Sequence, residues 1–131
     1  MYKKERLDCH VFIPDETYFE GYISITGDLI AGNNVTVIGE ISADGDVYFG
    51  YNANTLDIRA GGDVILGNYA DTCDIVAGGD VILRNYAHTC DIVAEGDVTL
   101  GDVANTDNIR AGDNVLLGKA CCTGTIIAKK K

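Results

Sequence analysis

The sequence lacks several features that would point to a familiar class of protein. Its 131 residues include no tryptophan, one proline and two histidines, and ten basic residues stand against twenty acidic ones. The formal charge of −10 disfavours nucleic acid and anionic membranes as partners, because both bind positive surfaces. No apolar run approaches the roughly 20 residues of a membrane span. We therefore expect one compact domain with neither a nucleic acid partner nor a membrane span.

Groups suited to catalysis are scarce. Only Ser24 and Ser42 could act as serine nucleophiles, and the only histidines are His10 and His88, so no Ser-His-acid arrangement is indicated. The turns are short, which leaves no loops to wall a cleft, and none has the form of a phosphate-binding loop. The sequence predicts no enzyme and no cofactor. Five cysteines cannot all pair, and the N-terminus lacks the apolar stretch of a secretory signal, so we expect reduced thiols in the cytoplasm.

What the sequence has in abundance is an internal repeat of 17 residues. Five full copies occupy 41–57, 58–74, 75–91, 92–108 and 109–125, and a partial copy occupies 126–131. With Ile41 as position 1, position 1 is Ile and position 3 is Ala in all six copies, and position 7 is Val in five. Apolar residues alternate within each copy, as in a strand, and Gly and Asp between them are typical of turns.

Each copy predicts one rung of a solenoid with three short strands. Equivalent residues of successive rungs would lie about 4.8 Å apart, and stacking would bury apolar columns that no copy could bury alone. The predicted fold is an all-β, right-handed parallel β-helix of about seven rungs in a single domain, 1–131. Residues 126–131 are predicted to form a half rung that ends in a lysine tail.

Upstream of Ile41 the pattern is predicted to shorten. Leu29-Ile-Ala matches Ile41-Ser-Ala at a spacing of 12, so 22–40 are predicted to form short rungs. Residues 1–21 fit no repeat and are predicted to form an atypical N-terminal cap, which protects the open end of a solenoid.

Two segments carry a resemblance to a known family. They read Ile-Ser-Ile-Thr-Gly-Asp-Leu at 23–29 and Val-Ile-Gly-Glu-Ile-Ser-Ala at 37–43, and Gly-Asp-Val-Ile-Leu turns follow them. This region, roughly 22–128, resembles the bactofilins and related polymer-forming proteins. The resemblance implies a right-handed triangular β-helix without enzymatic activity, in a group of which many members assemble into filaments.

Two acidic columns are the first candidate site. Position 6 reads Asp46, Asp63, Asp80, Asp97 and then Asn114, and position 17 reads Asp57, Asp74, Asp91 and then Asn108. A cation such as Ca²⁺ could bridge carboxylates stacked at rung spacing. The alternative, which the change to Asn in both columns favours, is that each Asp accepts hydrogen bonds from the N–H groups of its own turn.

A patch of thiols and imidazole is the second candidate. Asp71, Cys73, His88 and Cys90 are predicted to lie on one outer face of two adjacent rungs, where they could hold Zn²⁺ tetrahedrally. A disulfide between Cys73 and Cys90 is sterically compatible with neighbouring rungs but is disfavoured in a reducing compartment. The repeat itself sets this spacing, so a column of small half-buried residues is the favoured interpretation.

An outward apolar strip is the third candidate. Position 8 lies between the inward positions 7 and 9, yet it reads Tyr48, Ile65, Ile82, Thr99 and Leu116, and position 12 adds Tyr69, Tyr86 and Val103. A contiguous apolar strip on a sheet face usually marks an interface, although neighbouring side chains could also shield it. Symmetric self-pairing is the commonest solution.

The sequence therefore predicts a non-enzymatic structural module that forms a homo-oligomer or short filament. The predicted interface consists of Tyr48, Ile65, Ile82, Leu116, Tyr69 and Tyr86. A second hypothesis is an acidic module that binds a basic protein, even as a mimic of nucleic acid. A third is a metal-dependent enzyme in a groove between subunits, which would use Asp71, His88 and Cys90.

Overall fold

The fold consists of short parallel strands wound into rungs. A computed structural model describes residues 11–128, which contain seventeen strands and no helix. The strands are β1 (Val11–Ile13), β2 (Tyr18–Glu20), β3 (Ile23–Ile25), β4 (Leu29–Ala31), β5 (Thr36–Ile38), β6 (Ile41–Ala43), β7 (Val47–Phe49), β8 (Asn54–Thr55), β9 (Ile58–Ala60), β10 (Val64–Leu66), β11 (Ile75–Ala77), β12 (Val81–Leu83), β13 (Ile92–Ala94), β14 (Val98–Leu100), β15 (Ile109–Ala111), β16 (Val115–Leu117) and β17 (Ile126–Ala128). No helix long and apolar enough to cross a bilayer occurs in this part of the chain.

The strands form three sheets, one along each side of the coil. Sheet A has the order β1-β4-β7-β10-β12-β14-β16, and sheet C has the order β3-β6-β9-β11-β13-β15-β17. Sheet B contains β2, β5 and β8, and single bridges continue it through Asn54, Asp71, His88, Asn105 and Cys122. Residues 17 apart pair directly, as Ile58 does with Ile75. The predicted all-β solenoid of about seven rungs is therefore confirmed.

Inward-facing side chains form the core in columns, as the repeat predicts. Sheet C contributes Ile and Ala, sheet A contributes Val and Leu, and sheet B contributes Ala and Thr. Each Thr hydroxyl on sheet B donates to a nearby carbonyl, as Thr72 Oγ1 does to the oxygen of Cys73 at 3.3 Å. The polar Thr column is thereby satisfied inside the coil.

The upstream register differs from the prediction. Leu29 pairs with Val47 and Ile23 pairs with Ile41, so these rungs contain 18 residues and 22–40 are not shortened. The extra residue lies at the corner between sheets B and C, where 38–40 take the place of 56–57. The prediction was wrong because it matched two segments that lie on different sheets. Leu29–Ala31 is on sheet A and Ile41–Ala43 is on sheet C, but both have an aliphatic residue two places before Ala.

The cap prediction is also corrected where the structure describes it. Val11 pairs with Leu29 and Tyr18 pairs with Thr36, so residues 11–20 form strands of the solenoid itself. Residues 1–10 of the predicted cap and 129–131 of the lysine tail lie outside the described residues.

Side-chain ladders hold the three corners. At the corner between sheets C and A, the Oδ1 atom of Asp46 accepts a hydrogen bond from the N–H of Asp63 at 2.8 Å, and Asp63 does the same for Asp80. Asp74 and Asn85 act likewise at the other two corners. The expectation that each Asp serves its own turn was therefore wrong, since the bond runs to the next rung.

The ladders also explain a glycine in the turns. A Cβ atom built on Gly62 would clash with the Oδ1 atom of Asp46 from the rung before. The ladder bond of Asp46 thus leaves no room for a side chain at Gly62 unless the carboxylate shifts.

Candidate interaction surface

The outer faces of the three sheets differ in chemistry. The outward column of sheet B is polar, with Asn54, Asp71, His88 and Asn105. The outward column of sheet C is mixed and reads Ser24, Ser42, Arg59, Val76, Val93, Arg110 and Ile127. Only the column on sheet A is free of charged groups along all seven rungs of the described chain.

The uncharged column on sheet A is named face A. In-register pairing aligns Phe12, Ile30, Tyr48, Ile65, Ile82, Thr99 and Leu116. The structure thus brings together the predicted Tyr48, Ile65, Ile82 and Leu116. The sequence prediction missed Phe12 and Ile30, which the 18-residue spacing upstream of Tyr48 could have found.

The side chains of face A partly cover one another. Ile30, Tyr48, Ile65, Ile82 and Thr99 are half-buried, because each side chain in a parallel ladder rests against its neighbours above and below. The two ends are open, since Phe12 is 70% exposed and Leu116 is 65% exposed. The shielding considered in the sequence interpretation therefore applies to the middle of the strip and not to its ends.

The edge of face A that follows sheet C is acidic. Asp46, Asp63, Asp80 and Asp97 stand there immediately before each strand. The hydroxyl of Tyr48 donates to Oδ2 of Asp46 at 3.3 Å. The negative charge of Asp46, with a smaller effect of desolvation, raises the pKa of Tyr48 above its ordinary value of 10.0, which favours the neutral phenol.

The opposite edge carries Tyr69 and Tyr86, which we name the tyrosine corner. Their side chains are 54% and 46% exposed, and the rings stack with centroids 5.0 Å apart and planes 5° from parallel. Both residues have left-handed backbone conformations, with φ of 63° and 61°. The equivalent residue of each other described rung, such as Asn52 or Val103, has the same conformation, so it belongs to the corner geometry of the coil.

A shallow groove runs along the edge of face A beside Arg84. It has a volume of about 390 Å³ and lies on the outer side of β12 and β14. Its lining residues are Asn68, Ile82, Leu83, Arg84, Asn85, Thr99 and Gly101. Asn68 and Asn85 precede Tyr69 and Tyr86 in the chain, so the groove borders the tyrosine corner without including either ring.

The predicted zinc ligands are close in the chain but do not converge. Asp71 and His88 are exposed on sheet B, where the His88 ring lies 3.4 Å from the side-chain amide of Asn105. Cys73 and Cys90 are half-buried at the next corner. Across residues 11–128, no three His, Cys, Asp or Glu side chains form a group that could hold a metal ion.

The thiol of Cys90 is favoured over its thiolate. Burial, with a smaller contribution from Cys73 and the nearby carboxylates of Asp74 and Asp107, raises the pKa of Cys90 above its ordinary value of 9.0. The thiolate, which is the form that binds metals, is therefore disfavoured. Cys73, Cys90, Cys121 and Cys122 are free cysteines.

The acidic columns also lack a metal-binding group in the described chain. One oxygen of each Asp is already occupied by a backbone N–H of the next rung, as in the pairs from Asp57 to Asp74 and from Asp80 to Asp97. These carboxylates therefore have a structural role at the corners.

A family model described as "FapA: Flagellar Assembly Protein A beta solenoid domain" matches residues 16–131. No curated protein and no solved structure matches. The β-helix implied by the resemblance to bactofilins is thus supported, whereas a place among the bactofilins is not confirmed. Because the match covers most of its length, the chain belongs to the family of the Flagellar Assembly Protein A β-solenoid domain.

Proposed function

We propose that this chain is a structural module that associates with copies of itself through face A, as a homo-oligomer or short filament. The family to which it belongs is not an enzyme family, and its description names flagellar assembly. The observation that carries the proposal is the uninterrupted absence of charge along face A, from Phe12 to Leu116.

Charge makes face A the favoured place for two copies to meet. Residues 11–128 contain 18 Asp and Glu against 4 Lys and Arg, a net charge of −14. Contact through the corners would bring rows of carboxylates together, which repel one another at short range. Contact through face A would remove apolar side chains from water without burying a charge, and burial of apolar surface is the main favourable term in association.

The size of face A limits the strength of this contact. A sheet of seven strands and three residues per strand measures about 34 Å by about 10 Å, which is roughly 340 Å² on each copy. Two such faces bury about 700 Å² in total, whereas stable interfaces bury about 1,200–2,000 Å². We therefore expect concentration-dependent association, to which the tyrosine corner adds area.

The proposal is tested by charging the middle of face A. The double variant Ile65→Glu and Ile82→Glu should reduce the oligomer to a monomer in light scattering at concentrations where the unmodified chain associates. The control, Asn54→Glu with His88→Glu, places two Glu on the exposed column of sheet B and should leave the mass unchanged. A monomeric unmodified chain, or an oligomer that survives in the face A variant, would contradict the proposal.

A second candidate function is the binding of a basic protein segment. Two grooves at the corner between sheets B and C favour it, since position 17 lines both with acidic or amide side chains. One, of about 400 Å³, is lined by Asp91, Ile92, Val93, Asn108, Ile109, Arg110, Thr125 and Ile127. The other, of about 200 Å³, is lined by Glu40, Ile41, Ser42, Asp57, Ile58, Arg59, Asp74 and Val76.

An oligolysine peptide is a suitable probe for this candidate. If the grooves bind it, Asp74→Asn with Asp91→Asn should weaken binding in fluorescence anisotropy, and added salt should weaken it further. The control, Asp63→Asn with Asp80→Asn, removes the same charge from the other acidic corner. Equal effects of the two pairs would leave only nonspecific attraction and would contradict a site in the grooves.

A further inference from the structure

We propose that two copies pack face A against face A with their solenoid axes parallel and pointing the same way, so that Arg84 of each copy pairs with Asp80 of the other. This inference rests on the proposed self-association and specifies its geometry. The second copy is related to the first by a two-fold axis that runs along the strip and passes over Ile82. Each rung then faces the same rung of the second copy, which is the isologous arrangement typical of homodimers.

The first argument is that the two edges of face A carry different charges. One edge has Asp46, Asp63, Asp80 and Asp97, whereas the other has Arg84 and the tyrosine corner, with the opposite charges of Asp102 and Lys119 at the same corner in later rungs. A two-fold axis parallel to the solenoid places the acidic edge of one copy opposite the Arg84 edge of the second copy. An axis perpendicular to the solenoid in the same plane would place carboxylates opposite carboxylates. Charge therefore selects the parallel arrangement.

The second argument comes from Arg84 itself. The equivalent residue is Gly67 in the rung before and Gly101 in the rung after, and a Cβ atom on either would lie within 3.0 Å of the preceding rung's backbone. Arg84 therefore occupies a crowded position that its neighbours leave to glycine. Its side chain forms no hydrogen bond or ion pair with any described residue. An unpaired guanidinium on so acidic a chain has the chemistry to bind a carboxylate from outside.

The third argument is that Asp80 and Arg84 flank one strand. They stand immediately before and after β12 (Val81–Leu83), whose central residue, Ile82, lies on face A. A two-fold axis over Ile82 exchanges the two ends of the strand, so both Arg84 side chains meet an Asp80 at the same height. The groove of about 390 Å³ beside Arg84 and Ile82 leaves room for the facing side chains.

The tyrosine corner gives independent support for this register. Gly61-Gly62 and Gly78-Gly79 are the glycine pairs of the repeat, and they occur in the same two rungs as Tyr69 and Tyr86. The parallel arrangement places these tyrosines of one copy opposite the bare glycine corner of the other. The neighbouring rungs have an acidic residue in place of the first glycine and no tyrosine at position 12. The rungs that carry the bulky tyrosines are therefore the rungs whose opposite corner has glycine pairs to accommodate them.

A double-mutant cycle measured by sedimentation equilibrium tests the ion pair. Arg84→Gly restores the residue of the neighbouring rungs, and Asp80→Asn removes the charge but keeps the oxygen that accepts the N–H of Asp97 at 2.8 Å. Each single variant should raise the dissociation constant about tenfold, because two symmetric pairs are lost, and the double variant should add little more. The control Arg59→Ser, on sheet C, changes net charge equally and should have no effect.

A disulfide trap distinguishes the two orientations. In the parallel arrangement the Thr99→Cys position lies opposite itself and should form a linked dimer, identified by mass spectrometry of the joined peptide. In the antiparallel arrangement the Thr99→Cys variant would link only when mixed with the Ile65→Cys variant. A monomeric unmodified chain would overturn the proposed function as well. Two results would overturn this inference alone. One is an oligomer whose dissociation constant does not change with Arg84→Gly, and the other is a disulfide that forms only between Thr99→Cys and Ile65→Cys.

Discussion

Sheet A and sheet B are built from the same rungs but differ on both sides of the backbone. Inside, sheet A packs Val and Leu, such as Val81 and Leu83, whereas sheet B packs Ala and Thr, such as Ala87 and Thr89. Outside, sheet A presents the uncharged column of face A, whereas sheet B presents polar groups such as His88. Sheet A also consists of continuous three-residue strands, while sheet B is reduced to single bridges beyond β8.

The comparison teaches that large core residues lie directly beneath the uncharged outer column on one side of the coil. Large inward residues and regular three-residue strands support face A from beneath, and rigid support is what the proposed docking surface requires. Sheet B has smaller inward residues, and its outward polar groups, such as Asp71 and His88, are exposed. A solenoid whose rungs stack in register repeats such a difference along its whole length.

The largest expected effect distinguishes the two inner columns. Leu83→Ala should lower the free energy of unfolding by about 3 kcal/mol, because it leaves a cavity beneath sheet A. Thr89→Ala should cost about 1 kcal/mol, since it loses little volume and one hydrogen bond of 3.3 Å to the oxygen of Cys90. Urea denaturation followed by circular dichroism measures both. Equal losses would contradict the difference in packing.

A smaller effect is expected at the acidic edge of face A. Asp63→Ala should cost about 1–2 kcal/mol of unfolding free energy, because the N–H of Asp80 loses the acceptor that it contacts at 2.8 Å. Asp63→Asn keeps an oxygen in that place and should change stability by less than about 0.5 kcal/mol. The same denaturation assay applies. A loss on substitution by Asn would show that charge, and not the ladder bond, is what matters there.

The smallest effect is a shift in one titration. Asp46→Asn should lower the pKa of Tyr48 towards 10.0, because the negative charge that raises it is removed. The folded pKa lies above the unfolded one, so the contribution of Tyr48 to stability is complete below pH 10 and is lost as pH rises through the folded pKa. The pKa of Tyr48 is measured from the rise of tyrosinate absorbance with pH. Subtracting the titration of the same chain with Tyr48→Phe isolates the contribution of Tyr48. Asp57→Asn, at another corner, should leave it unchanged.

Much of the fold could be predicted because each rung repeats the same physical solution. Ile58 over Ile75 and Val64 over Val81 follow directly from the 17-residue period, since every rung buries the same positions. The upstream register could not be predicted as well. Leu29 and Ile41 have the same local pattern although they lie on different sheets, and only the pairing partners distinguish them.

The candidate site could be predicted in outline but not in its details. Alternation was enough to place Ile65 and Ile82 outside the coil, but their exposed fraction depends on neighbours in other rungs. The hydrogen-bonding role of the Asp columns was predictable from residue type, whereas its direction, from Asp46 to the next rung, was not. The convergence of Cys73 and His88 could not be judged from spacing alone, because it depends on how each corner turns.

The most direct test of the account is hydroxyl-radical footprinting of the unmodified chain above and below its association concentration. Association through face A predicts that oxidation of Ile82 and Leu116 slows several-fold as concentration rises. Val76 and Val93, on the outer side of sheet C, should be oxidised at an unchanged rate. Protection of Val76 and Val93 with no protection of Ile82 would contradict the central claim that face A is where two copies meet.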